Sequence, residues 1–331
     1  MSNSNSPIGI LIHGATAPNR ISALSKKIEN LGFGSLWLSE DYFFLGGISS
    51  AAIALEATES IEVGIGILSA VVRHPAVTAM EIATLVSAYP DRLLTGIGHG
   101  LPAWTQQMGL YPKSPLKALR ETVESVRALM HGATLDKKDG LFEFNNVSLT
   151  HPVEGNVNLL TGVIGPKSLE LSGEIADGTI MSVIAGPKYL EYVKKHVAVG
   201  AAKSGRDPNA HKLPTFVIYN VDEDRAKARA AARLGVGFYL WAVGPTPMTE
   251  VYGLNEQLAA LIEEGGVEAV TEKMPEEWLD LFSISGTPKD CALQIPKLID
   301  AGATSVVLAP YPSIEIERMI DVTAKSLLPI L

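Results

Sequence analysis

Gly165-Pro-Lys-Ser-Leu-Glu-Leu-Ser-Gly-Glu-Ile-Ala-Asp-Gly178, followed by Thr179-Ile-Met-Ser-Val183, sets the pattern of the whole chain. Gly165-Pro166 is a turn that opens a helix, since proline suits the first helical position. Leu169, Leu171, Ile175 and Ala176 recur at roughly helical spacing. Asp177-Gly178 ends the helix, and the apolar run at 179–183 reads as a buried strand. Residues 157–160 supply a strand before it, so the segment is a β–α–β unit, which demands a parallel sheet. The helix start carries a second meaning. Its first N–H groups have no intrahelical partner and a partial positive charge, so they can hold a phosphate. An ordinary cap has the same sequence, and the stretch alone leaves both readings open.

The alternation continues in both directions. Apolar strand candidates lie at 8–12, 34–39, 61–67, 92–97, 157–160, 179–183, 213–221 and 303–308. Helices are expected between them at 21–31, 48–58, from Pro75 onward, 116–130, 187–203, 222–234, from Thr287-Pro288 onward, and 313–327. Two segments break the pattern. Residues 132–156 carry Asp-Gly and Asn-Asn pairs with short apolar pieces at 141–144 and 147–149, which reads as a hairpin insertion. Residues 243–286 are helical pieces separated by breaks and read as an insertion over a site. Eight strands with helical crossovers predict an α/β fold, a TIM (β/α)8 barrel with insertions, as one domain over 1–331. An open doubly wound sheet is the rival, but the first strand lacks its Gly-rich phosphate turn.

Composition narrows the function. The 331 residues are 47% hydrophobic and 19% charged, with a net charge of −9. That argues against a nucleic-acid-binding surface. No apolar run reaches the roughly 18 residues that cross a bilayer, so no membrane partner is expected. Residues 1–6, MSNSNS, read as a disordered tail and not a signal peptide. The single Cys291 fits a reducing cytoplasm and reads as a packing residue. The seven histidines (13, 74, 99, 131, 151, 196 and 211) form no metal-ligand spacing, so no metal is expected. There is no nucleophile elbow and no P-loop. A small-molecule substrate and a cofactor that brings its own chemistry are the economical reading.

Barrel chemistry sits at strand C-termini. The first strand ends at His13, the second at Ser39-Glu40-Asp41-Tyr42 and the fourth at Gly98-His99-Gly100. Thr161-Gly162 and Gly165-Pro166-Lys167-Ser168 follow the fifth. Adjacent carboxylates raise one pKa and so suit a proton donor, although Glu40-Asp41 also fits a cap beside a solvated charge. His99 lies between glycines that let a planar ring approach the backbone. A hydrogen-bonded structural role is equally open for His99 and His13. Arg73, ahead of Pro75, is a candidate partner for a phosphate or carboxylate.

In order along the chain, LWLSEDYF (36–43), VGIGILSAVVRHPAVTAMEIATL (63–85), DRLLTGIGHGLPAWTQQMGL (91–110) and GPKSLELSGEIADGTI (165–180) resemble the bacterial-luciferase-like oxidoreductases. Within them the chain is similar to the branch that uses the 8-hydroxy-5-deazaflavin coenzyme F420, including methylene-tetrahydromethanopterin reductase-like proteins. The ending, 286–308, is similar too. The resemblance implies a TIM barrel with the deazaflavin, or FMN, across the strand C-termini, and its phosphate on residues 165–168. It implies a bulge at Gly64-Ile65-Gly66, often with a cis non-proline peptide, behind the ring, and a homodimer. The chain departs from the pattern twice. Asp41-Tyr42 stands where many flavin-using relatives carry histidines, and Leu101 where some deazaflavin relatives carry an acid. Glu40, Asp41, His13 and His99 therefore all remain candidates for the proton donor.

The resemblance implies hydride transfer between F420 and an organic substrate. A reduced-FMN monooxygenase and a non-catalytic deazaflavin- or flavin-binding protein are the alternatives.

Overall fold

A computed structural model describes residues 6–331. Its strands are β1 (Ile8–Ile12), β2 (Ser35–Leu38), β3 (Glu62–Ser69), β4 (Leu93–Gly98), β5 (Leu135–Lys137), β6 (Phe144–Val147), β7 (Asn158–Gly162), β8 (Gly178–Ile180), β9 (Pro214–Val221), β10 (Ser283–Gly286) and β11 (Ser305–Pro310). Its helices are α1 (Ile21–Asn30), α2 (Gly47–Ala57), α3 (Pro75–Ala88), α4 (Pro102–Gln107), α5 (Pro115–Met130), α6 (Pro166–Ile175), α7 (Pro187–Ser204), α8 (Arg225–Val243), α9 (Pro247–Glu250), α10 (Asn255–Lys273), α11 (Glu276–Phe282), α12 (Pro288–Ala301) and α13 (Ile316–Val322).

Nine strands form one sheet in the order β10-β9-β11-β1-β2-β3-β4-β7-β8, and every pairing is parallel. Parallel strands are covered on both faces, which is why β1 and β9 are buried throughout. Single bridges from Gly178 to Lys212 and from Met181 to Thr215 join β8 to the start of β9. The sheet thereby closes as an eight-stranded barrel of β1, β2, β3, β4, β7, β8, β9 and β11, the eight strands expected from the sequence. Trp37 and Phe216 meet edge-on inside it, with ring centroids 5.3 Å apart.

The ninth strand is a correction. Residues 283–286, read as the end of an insertion, pair in parallel with the second half of β9, from Ser283 opposite Ile218 to Gly286 opposite Val221. Ser-Ile-Ser-Gly has one apolar residue and no strand signature of its own. The helix expected to end near 234 continues to Val243. Its Gly- and aromatic-rich second half is helical because it packs on α10 and on β9 and β10. The hairpin expected in the 132–156 insertion is present, but its antiparallel strands are β5 and β6, and not the apolar pieces at 141–144 and 147–149. The helix α4 was not read from the sequence at all.

The 243–286 segment contains α9, α10 and α11, with a kink in α10 at Gly265 and Gly266. Arg229 of α8 holds α11 through Asp280, at 2.8 Å, and Glu276. The tail expected to be disordered lies outside the described residues except Ser6, whose hydroxyl accepts from Ile8 N–H. Among the described residues no helix is long and apolar enough to cross a membrane.

Candidate active site

Two helices after consecutive barrel strands begin with the same three residues, Gly-Pro-Lys, and end up in different states. At α6 the N-cap Gly165 has extended backbone and offers no side-chain cap. The first intrahelical bond runs from Leu169 N–H to Gly165 O at 2.9 Å, so the N–H groups before it face away from the ladder. A Cβ built on Gly165 would meet nothing within 4 Å. At α7 the hydroxyl of Tyr252 accepts from Lys188 N–H at 3.0 Å, and a Cβ on Gly186 would stand 2.4 Å from that oxygen. The α7 terminus is filled by the chain itself; the α6 terminus opens onto free space. Tyr189 fixes the approach to α6 by donating to Ile164 O at 2.6 Å. Lys167 is exposed, and Ser168 Oγ lies 3.3 Å from His99 Nε2.

Next to this terminus β3 is distorted. Its register against β4 shifts between Ile65 and Leu68, and the Gly66–Ile67 peptide is cis. The bulge expected at 64–66 is therefore present, centred slightly later. Gly64 is required because a Cβ there would stand 2.1 Å from the Trp37 ring. Ile67 lies over three glycines. A Cβ on Gly96, Gly98 or Gly162 would come within 2.8, 2.3 or 2.8 Å of its side chain. The result is an apolar floor made by one isoleucine in a bed of glycines. Gly98→Ala is expected to cost about 1–3 kcal/mol by overpacking this bed, which thermal unfolding would measure.

The acidic wall comes from β1 and β2. Glu40 is not a free donor. Its buried carboxylate accepts two bonds of 2.7 Å from Arg73, one of 2.8 Å from Gly47 N–H and one of 3.1 Å from the Tyr42 hydroxyl. Of the readings open from the sequence, Glu40 takes the capping one, anchoring the start of α2, and Arg73 takes a carboxylate, that of Glu40, and not a phosphate. Asp41 is different. Burial pushes its carboxyl above the usual range, against a hydrogen bond from Ser39 and the attraction of His13, and with repulsion from Glu40. The Ser39 hydroxyl also accepts from Gly14 N–H at 2.9 Å. His13 Nδ1 accepts from Ala15 N–H at 3.0 Å, which leaves Nε2 to carry the ring proton. Burial lowers the pKa of His99, so its imidazole is neutral near pH 7.

Thr161 does not face the mouth. Its hydroxyl donates to Ser172 at 2.6 Å, and a buried chain continues through Thr179 to His211 between the sheet and α6. Gly162 beside it lies under Ile67, and strand alternation turns Thr161 the other way. Gly100, with φ of +72°, turns the backbone out of β4. Two positions that the sequence offers only as strand ends, Ile67 and Tyr42, also take part in the arrangement. Tyr42 packs edge-on against Trp104 at 6.1 Å, and its hydroxyl is pushed up to about 12, chiefly by burial.

The chain as a whole has counterparts among known proteins. The family model for luciferase-like monooxygenases matches residues 5–305. The chain belongs to that luciferase-like family. It is 32% identical to 5,10-methylenetetrahydromethanopterin reductase of Archaeoglobus fulgidus, over 92% of this chain and 93% of that one. It is 28% identical to F420-dependent glucose-6-phosphate dehydrogenase of Nocardia farcinica, over 82% and 79%. The structure of coenzyme F420-dependent tetrahydromethanopterin reductase from Methanopyrus kandleri superposes with a TM-score of 0.84 at 26% identity, covering 97% of this chain and 98% of that chain.

On this luciferase-like barrel the apolar floor, the open helix start and the raised acid border one mouth. Phe43, Phe44 and Leu101 are exposed at its rim. Among the described residues no three metal-ligating side chains gather into a site. A cleft of about 320 Å³ between Tyr192 and the 245–255 segment lies outside this mouth.

Proposed function

We propose that the protein is an F420-dependent oxidoreductase, with its cofactor phosphate at the α6 N-terminus and its ring over Ile67. The observation that carries this reading is the contrast between two Gly-Pro-Lys helix starts, one filled by Tyr252 and one open. The residues fit the group: the N–H groups of Lys167 and Ser168 suit a phosphate, and the Ile67 floor suits a planar ring. When bound, the deazaflavin supplies or accepts a hydride. The chain's own residues do the rest. Ile67 and its glycine bed set the height of the ring. Neutral His99 offers Nε2 beside Ser168, and Asp41, made a weaker acid by burial, stands at the β2 end of the mouth.

The substrate we favour is a planar, pterin-like carrier with an iminium-type one-carbon centre. The aromatic rim formed by Phe43, Phe44 and Trp104 supports a flat ring system. The cation nearest the mouth on this side, Arg73, is already neutralised by Glu40, which disfavours a sugar phosphate. Hydride addition to an iminium carbon consumes no proton; the proton is used earlier, when a C–N bond of the closed aminal form opens to the iminium, and the Asp41 carboxyl would supply it to the departing nitrogen. FMN could place its phosphate on the same helix start, so the cofactors must be separated by direct binding.

Lys167→Glu is expected to weaken cofactor binding about tenfold, by putting a like charge beside the phosphate, with thermal stability unchanged. Fluorescence titration with F420 would measure it, and an unchanged Kd would place the phosphate elsewhere. We also propose a homodimer built on α2 and α3. Both are apolar on nearly all faces, with Ile53, Val77 and Met80 exposed, and such helices need covering. Sedimentation is expected to give twice the chain mass. A cytoplasmic location suits this reading and the free thiol of Cys291.

A further inference from the structure

The segment that leaves β4 and carries α4 is tied to the barrel by very little. Residues 101–112 contain no charged side chain. Among the described residues, every hydrogen bond of 101–110 closes within the segment. Trp104 and Thr105 N–H donate to Leu101 O, Met108 N–H to Trp104 O, Gly109 N–H to Gln106 O and Leu110 N–H to Thr105 O. The Thr105 hydroxyl turns back on Leu101 O and Pro102 O. α4 has no extended packing on another helix or strand, and its six residues are too few to hold a helix in water unaided. Two left-handed glycines bracket it, Gly100 with φ of +72° and Gly109 with φ of +70°. A Cβ on Gly100 would stand 3.1 Å from Ser69 at the end of β3, whereas a Cβ on Gly109 would meet nothing within 4 Å. One contact reaches inward. Trp104 is half-buried and packs edge-on against Tyr42, with centroids 6.1 Å apart and planes at 86°. Tyr42 is in turn fixed by its bond to Glu40, and Phe43 continues the aromatic row 6.2 Å from Tyr42. Within the segment, Leu101, Leu110 and Tyr111 are 48%, 39% and 48% exposed. Apolar side chains gathered in water beside a ligand mouth mark a surface that binding covers.

We propose that residues 101–110 form a flap on the β2–β4 side of the mouth, latched in the free protein by Trp104 on Tyr42 and closed in the complex on the flat ring of the substrate. Trp104 is then a specificity-determining residue for that ring. The inference rests on the planar substrate proposed above. Opening the flap breaks one aromatic contact and no hydrogen bond. Closing it desolvates no charged group, because the segment carries none. A ring that replaces the edge contact with Tyr42 buries more apolar surface and keeps water from the place where the hydride moves.

Hydrogen exchange read by mass spectrometry tests the flap in the full chain. In the apo-protein the amides of 101–110 are expected to exchange at least about tenfold faster than those of α5, the long helix that follows. Trp104→Ala should speed them about tenfold further, and Trp104→Phe, which keeps an aromatic ring, should leave them near the parent rate. Unchanged exchange in α5 shows that each variant is folded. With oxidised F420 and 6-hydroxymethylpterin both bound, the parent segment should slow by about tenfold or more, and Trp104→Ala should lose that protection. Exchange over 101–110 as slow as in α5, or indifferent to Trp104→Ala, would overturn the proposal. The latch comparison needs no ligand. A segment that answers to Trp104→Ala but is not protected by the pterin supports the flap and counts against the substrate class proposed above, so the two failures are distinguishable.

Discussion

Asp41→Asn is expected to abolish most turnover, by about 10²–10⁴-fold, the range typical for loss of a positioned acid, while F420 affinity stays the same. The same substitution should make the protein more stable at neutral pH. The sign follows from the direction of the shift. Burial raises the carboxyl's pKa in the folded state, so between its unfolded and folded values the native state holds more protons than the unfolded one. Stability contributed by this group is present below the unfolded pKa and declines as pH rises through the folded pKa. Asparagine has no charge to bury and escapes that penalty. Thermal unfolding from pH 4 to pH 8 should show the gap between variant and parent widening with pH. A stabilised but inactive variant separates a functional acid from a structural one, because loss of a structural carboxylate lowers stability.

Arg73→Met is expected to lower stability by about 3 kcal/mol, near the lower end for breaking a buried ion pair, since Arg73 itself is partly exposed. The Glu40 side chain is 2% exposed and its charge would be left with only Gly47 N–H and the Tyr42 hydroxyl. The loss should propagate to the site, because Glu40 ties the end of β2 to the start of α2 and orients Tyr42 against Trp104. The companion variant Glu40→Gln/Arg73→Met removes both charges and should recover part of the loss. Chemical denaturation of the single and double variants measures both. Equal stability of the single variant and the parent would mean that the pair contributes nothing.

The barrel was legible because parallel strands buried on both faces leave continuous apolar runs, such as Ile8–Ile12 and Leu36–Leu38. β10 left no such run, since it borrows its pairing from β9. In the site, the legible parts were local: the glycines at 64, 66 and 98 and the Gly-Pro helix start. The pairings that reassign Glu40 and Arg73 link residues 33 apart, and no local spacing announces them. The direction of Thr161 could have been read. It neighbours an interior-facing glycine on a strand, and alternation sends its side chain outward. The difference between the two Gly-Pro-Lys starts could not, because Tyr252 reaches α7 from 64 residues away.

The most direct test of the account is a titration of the apo-protein with oxidised F420 and, separately, with FMN, each followed by fluorescence. Micromolar binding of F420 with no binding of FMN is the predicted result. Binding of FMN in place of F420 would contradict it.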